Sequence, residues 1–221
     1  APIQDVLIVP AAAATIDEGM ATMYAVYQAA AALIKRNYGA RALTADEGGL
    51  APDFVDAESM LRDAVQAMKD AGYEPGKEVV LALDVASSHF YEAGHYHLGS
   101  PLSSAQMIDT LASWTERYPI VSLEDGLAED DWQHWPGLCK RISERALVLG
   151  DDFLCTNPAR IQRAIDSQSA TALLLKVNQI GSLSEAMQAL QLARSAGWKV
   201  TISARSGETE DDWLSDLSVG W

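Results

Sequence analysis

The sequence predicts an α/β fold assembled from strand–helix units, and three observations predict it. Short apolar runs alternate with longer amphipathic stretches, helix-capping residues stand at the junctions, and several of the runs end in a carboxylate. The runs are Ile3–Pro10, Val79–Asp84, Ile120–Asp125, Leu147–Asp152, Ala172–Asn178 and Lys199–Ser203. Between them lie the helical patterns Ile16–Lys35, Ala57–Ala71, Ser104–Tyr118, Trp132–Glu144, Asn157–Ser167 and Ser182–Ala196. Ser182 with Glu185 reads as a capping box, in which each residue satisfies an orphan N–H near the helix start. Pro158 follows Asn157 at a first helical position, where its missing N–H costs nothing, and Gly197 is a helix stop before the last run. Alternating strands and helices imply a parallel sheet, either doubly wound or closed into a barrel. No Gly-x-Gly-x-x-Gly follows the first run, so the dinucleotide-binding form of the open sheet has no support. About six strands are counted, against the eight that a closed barrel of this kind needs.

Composition narrows the functional classes. The chain has 221 residues, 48% hydrophobic and 21% charged, enough for one substantial core. Asp and Glu outnumber Lys and Arg by 31 to 16, for a net charge of −15, which argues against a nucleic-acid surface built on a basic stripe. No apolar run is long enough to span a membrane, and the Ala1-Pro2-Ile3 start lacks the basic flank of a secretory signal. Cys139 and Cys155 form no metal-binding spacing and point to a reducing, cytoplasmic compartment.

The acids at the run ends carry the chemistry. Asp84, Glu124-Asp125 and Asp151-Asp152 each close an apolar run, and in parallel βα folds that edge holds ligands. A single acid there is an ordinary turn or cap residue. Carboxylates on three successive strands repel one another unless a cation compensates, and all-oxygen ligation suits Mg²⁺ before Mn²⁺ or Ca²⁺. His89, His95, His97 and His134 stand in polar contexts and are not assigned to a metal. The next run carries Lys176 among apolar residues. Period-two alternation groups Leu174, Lys176 and Asn178 on one face, with Leu173, Leu175 and Val177 on the other. Lys176 is then either a general base aimed at the acids or a structural lysine. After the last run, Ser203-Ala204-Arg205-Ser206-Gly207-Glu208-Thr209 is either an anion cradle or a capped helix start. Near the beginning, Asp46-Glu47-Gly48-Gly49 is a turn that could carry Glu47 over the rim as a proton donor.

Together these segments resemble enolase. The matching stretches are Ile3–Pro10, Asp46–Pro52, Ala82–Ala86, Pro119–Trp132, Gly150–Asp152 with Thr156–Pro158, Leu175–Gly181 and Arg205–Asp211, in family order along nearly the whole chain. The Glu-Asp-Gly-Leu form at Glu124–Leu127 is similar to the bacterial branch. The resemblance implies a (β/α)8 TIM-type barrel, with residues 1–221 covering about six of its eight strands and no N-terminal capping domain. It also implies Mg²⁺ held by Asp84, Glu124 and Asp151, Lys176 as the base and Glu47 as the acid in the dehydration of 2-phosphoglycerate. Arg205, Ser206 and Asp5 would contact the substrate, a small phosphorylated acid. A homodimer, or a partner chain closing the barrel, would complete the assembly. The chain departs from the family at Ala204, where a histidine is expected, at Asp5, where a glutamate is, and at Ser87 and His89. Those departures suggest two alternatives: a non-catalytic binding or scaffold homologue, and a lyase acting on another phosphorylated or phosphonate acid.

Overall fold

The computed structural model describes residues 2–39, 44–45, 47–205, 207 and 210–221. Its main sheet has six strands, β1 (Asp5–Val9), β2 (Val80–Asp84), β6 (Ile120–Glu124), β7 (Leu147–Gly150), β8 (Ala172–Leu175) and β9 (Lys199–Ile202), hydrogen-bonded in that order. The strands curl into an open half-barrel, and the helices pack on its outer face. A separate three-stranded sheet, β3 (Tyr91–Glu92), β4 (His95–Leu98) and β5 (Ser100–Leu102), follows a short 3₁₀ turn at Ser87–Phe90; the alternation of apolar runs gave no sign of it.

The helices are α1 (Ile16–Tyr38), α2 (Ala57–Asp70), α3 (Ser104–Arg117), α4 (Trp135–Ile142), α5 (Pro158–Asp166), α6 (Val177–Ile180), α7 (Leu183–Ser195) and α8 (Trp213–Gly220). Local chemistry sets their ends. Thr15, Asp56, Ser103, Asn157 and Ser182 each accept a backbone N–H of the first turn, and Asp56 and Ser103 form full capping boxes with Ser59 and Gln106. Gly39 ends α1 in the left-handed conformation that spares a glycine any Cβ clash.

The expectation of an all-parallel sheet fails at one strand. β2, β6, β7, β8 and β9 run parallel, but β1 pairs with β2 antiparallel. Two helices, α1 and α2, separate β1 from β2, whereas each later pair flanks one main helix. Each successive element turns back on the one before it, so a strand–helix–helix–strand unit reverses the second strand. The site depends on that reversal. Asp5 opens β1 and lies opposite Asp84, which closes β2, so both stand on one rim.

The core lies between the outer face of the sheet and the helices. Leu81, Leu83, Leu123, Val148, Leu173 and Leu175 face it and are buried with Leu61, Met68, Leu111, Leu138, Ile161 and Leu190. Each fully buried leucine contributes about 1.5–3 kcal/mol. On the inner face Leu149, Ala172 and Leu174 form a second apolar cluster beside Leu147. Side chains alternate between the two clusters as period-two strands require. No described helix is long and apolar enough to cross a membrane.

Candidate metal-assisted active site

The inner face leads directly to the rim. One strand step past Ala82, Ser122, Leu149 and Leu174, the same face presents Asp84, Glu124, Asp151 and Lys176. Asp84, Glu124, Leu149 and Ala172 share one level in the register, so Asp151 and Lys176 stand successively higher on their strands. In a curled sheet of tilted strands that stagger keeps neighbouring rim side chains together. The Lys176 ammonium donates to Asp151 Oδ2 at 2.5 Å, an ion pair whose two side chains are only 13% and 11% exposed. Asp84 accepts from the Gln4 amide at 2.9 Å and from the Ala86 N–H at 3.1 Å. The Glu124 carboxylate has no hydrogen-bond partner among the described residues, although its backbone carbonyl accepts from the Val85 N–H at 3.0 Å.

The carboxylates sense one another. Asp84 is pushed above the usual range by burial, then by the charges of Asp151 and Asp5; the Ala86 N–H and Lys176 oppose the rise. Glu124 is raised by burial first and then by Asp84, Asp125 and Asp151, again against Lys176. Burial and the charge of Glu47 raise Asp5. These couplings link Glu47, Asp5, Asp84, Asp151, Glu124 and Lys176 along one side of the barrel mouth. Glu47 is exposed on a turn closed by the Ala45 N–H to Gly49 carbonyl bond of 2.8 Å, and the Tyr27 hydroxyl anchors the turn through the Gly48 carbonyl.

The tightest group of acidic oxygens differs from the expected triad. One ligand atom each from Asp125, Asp151 and Asp152 lies within 4.8 Å of the others. Asp125, however, is already engaged: its Oδ1 accepts from the N–H groups of Asp151 and Phe153 at 3.0 and 3.4 Å, and its Oδ2 from that of Asp152 at 2.8 Å. It holds the next loop in place through three backbone N–H groups, whereas Asp151 is bonded by the side chains of Lys176 and Gln179 and Asp84 by the Gln4 amide and one backbone N–H. Glycines let this layer pack. A Cβ on Gly150 would lie 2.6 Å from Leu154 Cγ, and one on Gly126 would collide with Leu123. Of the six non-glycine residues with positive φ among the described residues, four, Ala86, Asp125, Cys155 and Thr156, lie on the rim loops, where the packing overrides backbone preference.

The family model for the C-terminal TIM barrel domain of enolase matches residues 1–221. The chain belongs to that family. Its enolase-type half-barrel brings Asp84, Glu124, Asp151 and Lys176 together, with Asp5 and Glu47 beside them. Three buried carboxylates facing one lysine leave an excess of negative charge, and that donor set suits a metal ion of the kind the enolase family suggests.

Other expectations stand apart from the cluster. Arg205 is exposed beyond β9, and no bond among the described residues ties it to the carboxylates. Ser206 and Thr209 lie outside the described residues. Asn178 does not continue the face of Lys176, because β8 stops at Leu175 and α6 begins at Val177. His134 bonds Asp131 at 2.5 Å and, among the described residues, none of the rim carboxylates. Sequence reasoning assigned no role to Gln4, Thr156 or Gln179, and it grouped Asp125 with the run-end acids without its part in holding the loop. A polar residue one or two places from a strand-end acid was the only available signal for Gln4 and Asp125, and nothing in the sequence pairs Thr156 with Gln179.

Proposed function

We propose that this chain carries the enolase reaction site, in which Mg²⁺ assists the reversible dehydration of 2-phosphoglycerate to phosphoenolpyruvate. One observation carries the reading: the Lys176 amine stands 2.5 Å from Asp151, on the same inner face as Asp84 and Glu124. Asp84, Glu124 and Asp151 would hold the ion through oxygen, the ligation that a hard cation prefers. Once bound, the ion supplies the positive charge without which the α-proton of a carboxylate is too weakly acidic to remove; enolase-superfamily chemistry of this kind is a known pattern, applied here by family membership.

The chain's own residues then divide the work. Lys176, in its neutral amine form, would accept the proton from C2 and become the ammonium, and the C–H electron pair becomes the C2–C3 double bond. Glu47, on its turn beside Asp5, donates a proton to the C3 hydroxyl, which departs as water with the C–O pair. Arg205 and Ser206 would meet the phosphate and Asp5 the substrate at the rim. The apolar inner face below, Leu149, Ala172 and Leu174, closes the floor of the site to water.

A second reading is favoured by Ala204. It follows β9 where the family carries a histidine, so a binding homologue with an intact cation site and little turnover also fits. An absorbance assay for phosphoenolpyruvate formation separates the two. Mg²⁺-dependent turnover that disappears in Lys176→Ala supports the enzyme. Mg²⁺ binding without turnover, together with recovery in Ala204→His, supports the degenerate form. If Mg²⁺ neither binds nor stabilises the parent and Asp151→Ala behaves identically, both readings fail.

A further inference from the structure

Beyond the acids, the Lys176–Asp151 pair belongs to a closed circuit. The Lys176 backbone N–H donates to Thr156 Oγ1 at 2.9 Å, and the Thr156 hydroxyl donates to Gln179 Oε1 at 2.8 Å. The Gln179 amide donates to Asp151 Oδ1 at 2.7 Å, and the Lys176 ammonium returns to Asp151 Oδ2 at 2.5 Å. Every donor in this ring has one acceptor. The amide orientation is dictated, since the reverse would set the Gln179 carbonyl against the carboxylate and its NH₂ against the hydroxyl hydrogen.

We propose that Gln179 and Thr156 are positioning residues for this site, locking the carboxylate of Asp151 and the amine of Lys176 into one geometry without themselves touching ion or substrate. The inference rests on the proposed roles of Asp151 as a ligand and Lys176 as a base, and it deepens that reading. Two features support it. Thr156 is fully buried with φ +52°, a conformation costly for a β-branched residue, and it persists where its hydroxyl serves two partners at once. The single turn of α6 brings Gln179 back over Lys176: the Gln179 N–H donates to the Lys176 carbonyl at 3.0 Å, and Gly181 ends the turn in the left-handed region at φ +99°. Lys176 has ended its strand but is still extended, so its side chain points along the inner face while its own N–H is held from behind by Thr156. A ligand carboxylate gripped by a neighbouring amide is confined to fewer orientations, and partners of this kind commonly affect metal affinity by about 10–100-fold.

The test uses Gln179→Leu and Thr156→Val, which remove the polar groups with little change of volume, and Thr156→Ser, which keeps the hydroxyl. Reductive methylation of the metal-free protein, followed by peptide mass spectrometry, reads the Lys176 labelling rate against Lys35 and Lys199 as internal references. Labelling of Lys176 is expected to rise by about an order of magnitude in Gln179→Leu and Thr156→Val, as expected for loss of a hydrogen bond to a charged group, and to stay at the parental rate in Thr156→Ser. Calorimetric titration with MgCl₂ is expected to show about 10–100-fold weaker binding in the first two variants and parental binding in the serine variant. Parental labelling in both Gln179→Leu and Thr156→Val, with native circular dichroism, overturns the proposal, as does equal labelling of Thr156→Ser and Thr156→Val. Failure of the parent to bind Mg²⁺ counts against the proposed function, while the labelling comparison still decides the circuit.

Discussion

Asp125 offers the sharpest test of how the rim is held. Its carboxylate receives three consecutive backbone N–H groups, those of Asp151, Asp152 and Phe153, at 3.0, 2.8 and 3.4 Å, while the residue itself is 5% exposed. Replacing Asp125 with Ala removes every acceptor. The two shorter bonds leave one buried and one half-buried donor at about 1–3 kcal/mol each, so a loss of roughly 2–6 kcal/mol is expected, with the longest bond adding little. For a chain of this length about 1 kcal/mol shifts Tm by ~2–4 °C, which makes the change visible in a melt. Asp125→Asn keeps one acceptor oxygen and should lose about half as much. The pH dependence adds a second signature. Burial pushes the Asp125 carboxyl up to about 8 against the N–H groups that favour its charge. A carboxyl whose folded pKa is raised contributes stability at low pH that is lost as pH rises through that value. The parent therefore loses stability between about pH 4 and pH 8 through this group, the Ala variant does not, and the cost of the substitution falls steadily across that interval. Urea unfolding followed by circular dichroism at pH 6 and pH 9 measures both effects. A loss under about 1 kcal/mol at pH 6 would refute the claim that this side chain organises the loop bearing Asp151.

Other consequences can be checked with similar means. Asp84 is raised from 3.8 to about 7, so the metal-free protein should become less stable as pH rises across that interval. MgCl₂ should stabilise it more at pH 8 than at pH 5 and release protons on binding; equal stabilisation at both values in thermal melts would contradict a carboxylate site. Gly126→Ala and Gly150→Ala place a methyl group against Leu123 and Leu154, and each should cost about 1–3 kcal/mol in urea unfolding. Asp131→Ala strands the buried hydroxyls of Tyr96 and Ser104, bonded to it at 2.8 and 2.7 Å, and should cost about 2–5 kcal/mol with no change in Mg²⁺ affinity, because among the described residues Asp131 bonds Tyr96, Ser104 and His134 and none of the rim acids.

Sequence and tertiary structure divided this protein in a physically intelligible way. Every apolar run read from the sequence contains a strand of the main sheet, and each of the six amphipathic stretches coincides with a helix, the first of which runs on past Lys35 to Tyr38. Periodicity and caps are local quantities, so they were legible. The runs also marked which acids end strands, and that placed Asp84, Glu124 and Asp151 on one edge before any coordinates. The three short strands from Tyr91 to Leu102 left no comparable trace, because two- to four-residue strands are too short to show a period. The reversal of β1 needed a count of the helices that follow it, and only the pairing of Asp5 with Asp84 showed its consequence. Likewise, adjacent acids in the sequence look alike. Asp125 and Glu124 are neighbours, yet one carboxylate is consumed by backbone N–H groups and the other is not, because β6 ends at Glu124 and Asp125 turns into the loop with φ +43°. The ring from Lys176 through Thr156 and Gln179 to Asp151 joins residues up to 28 positions apart. Contacts between such distant residues exist only once the strands have curled and the rim has closed around them.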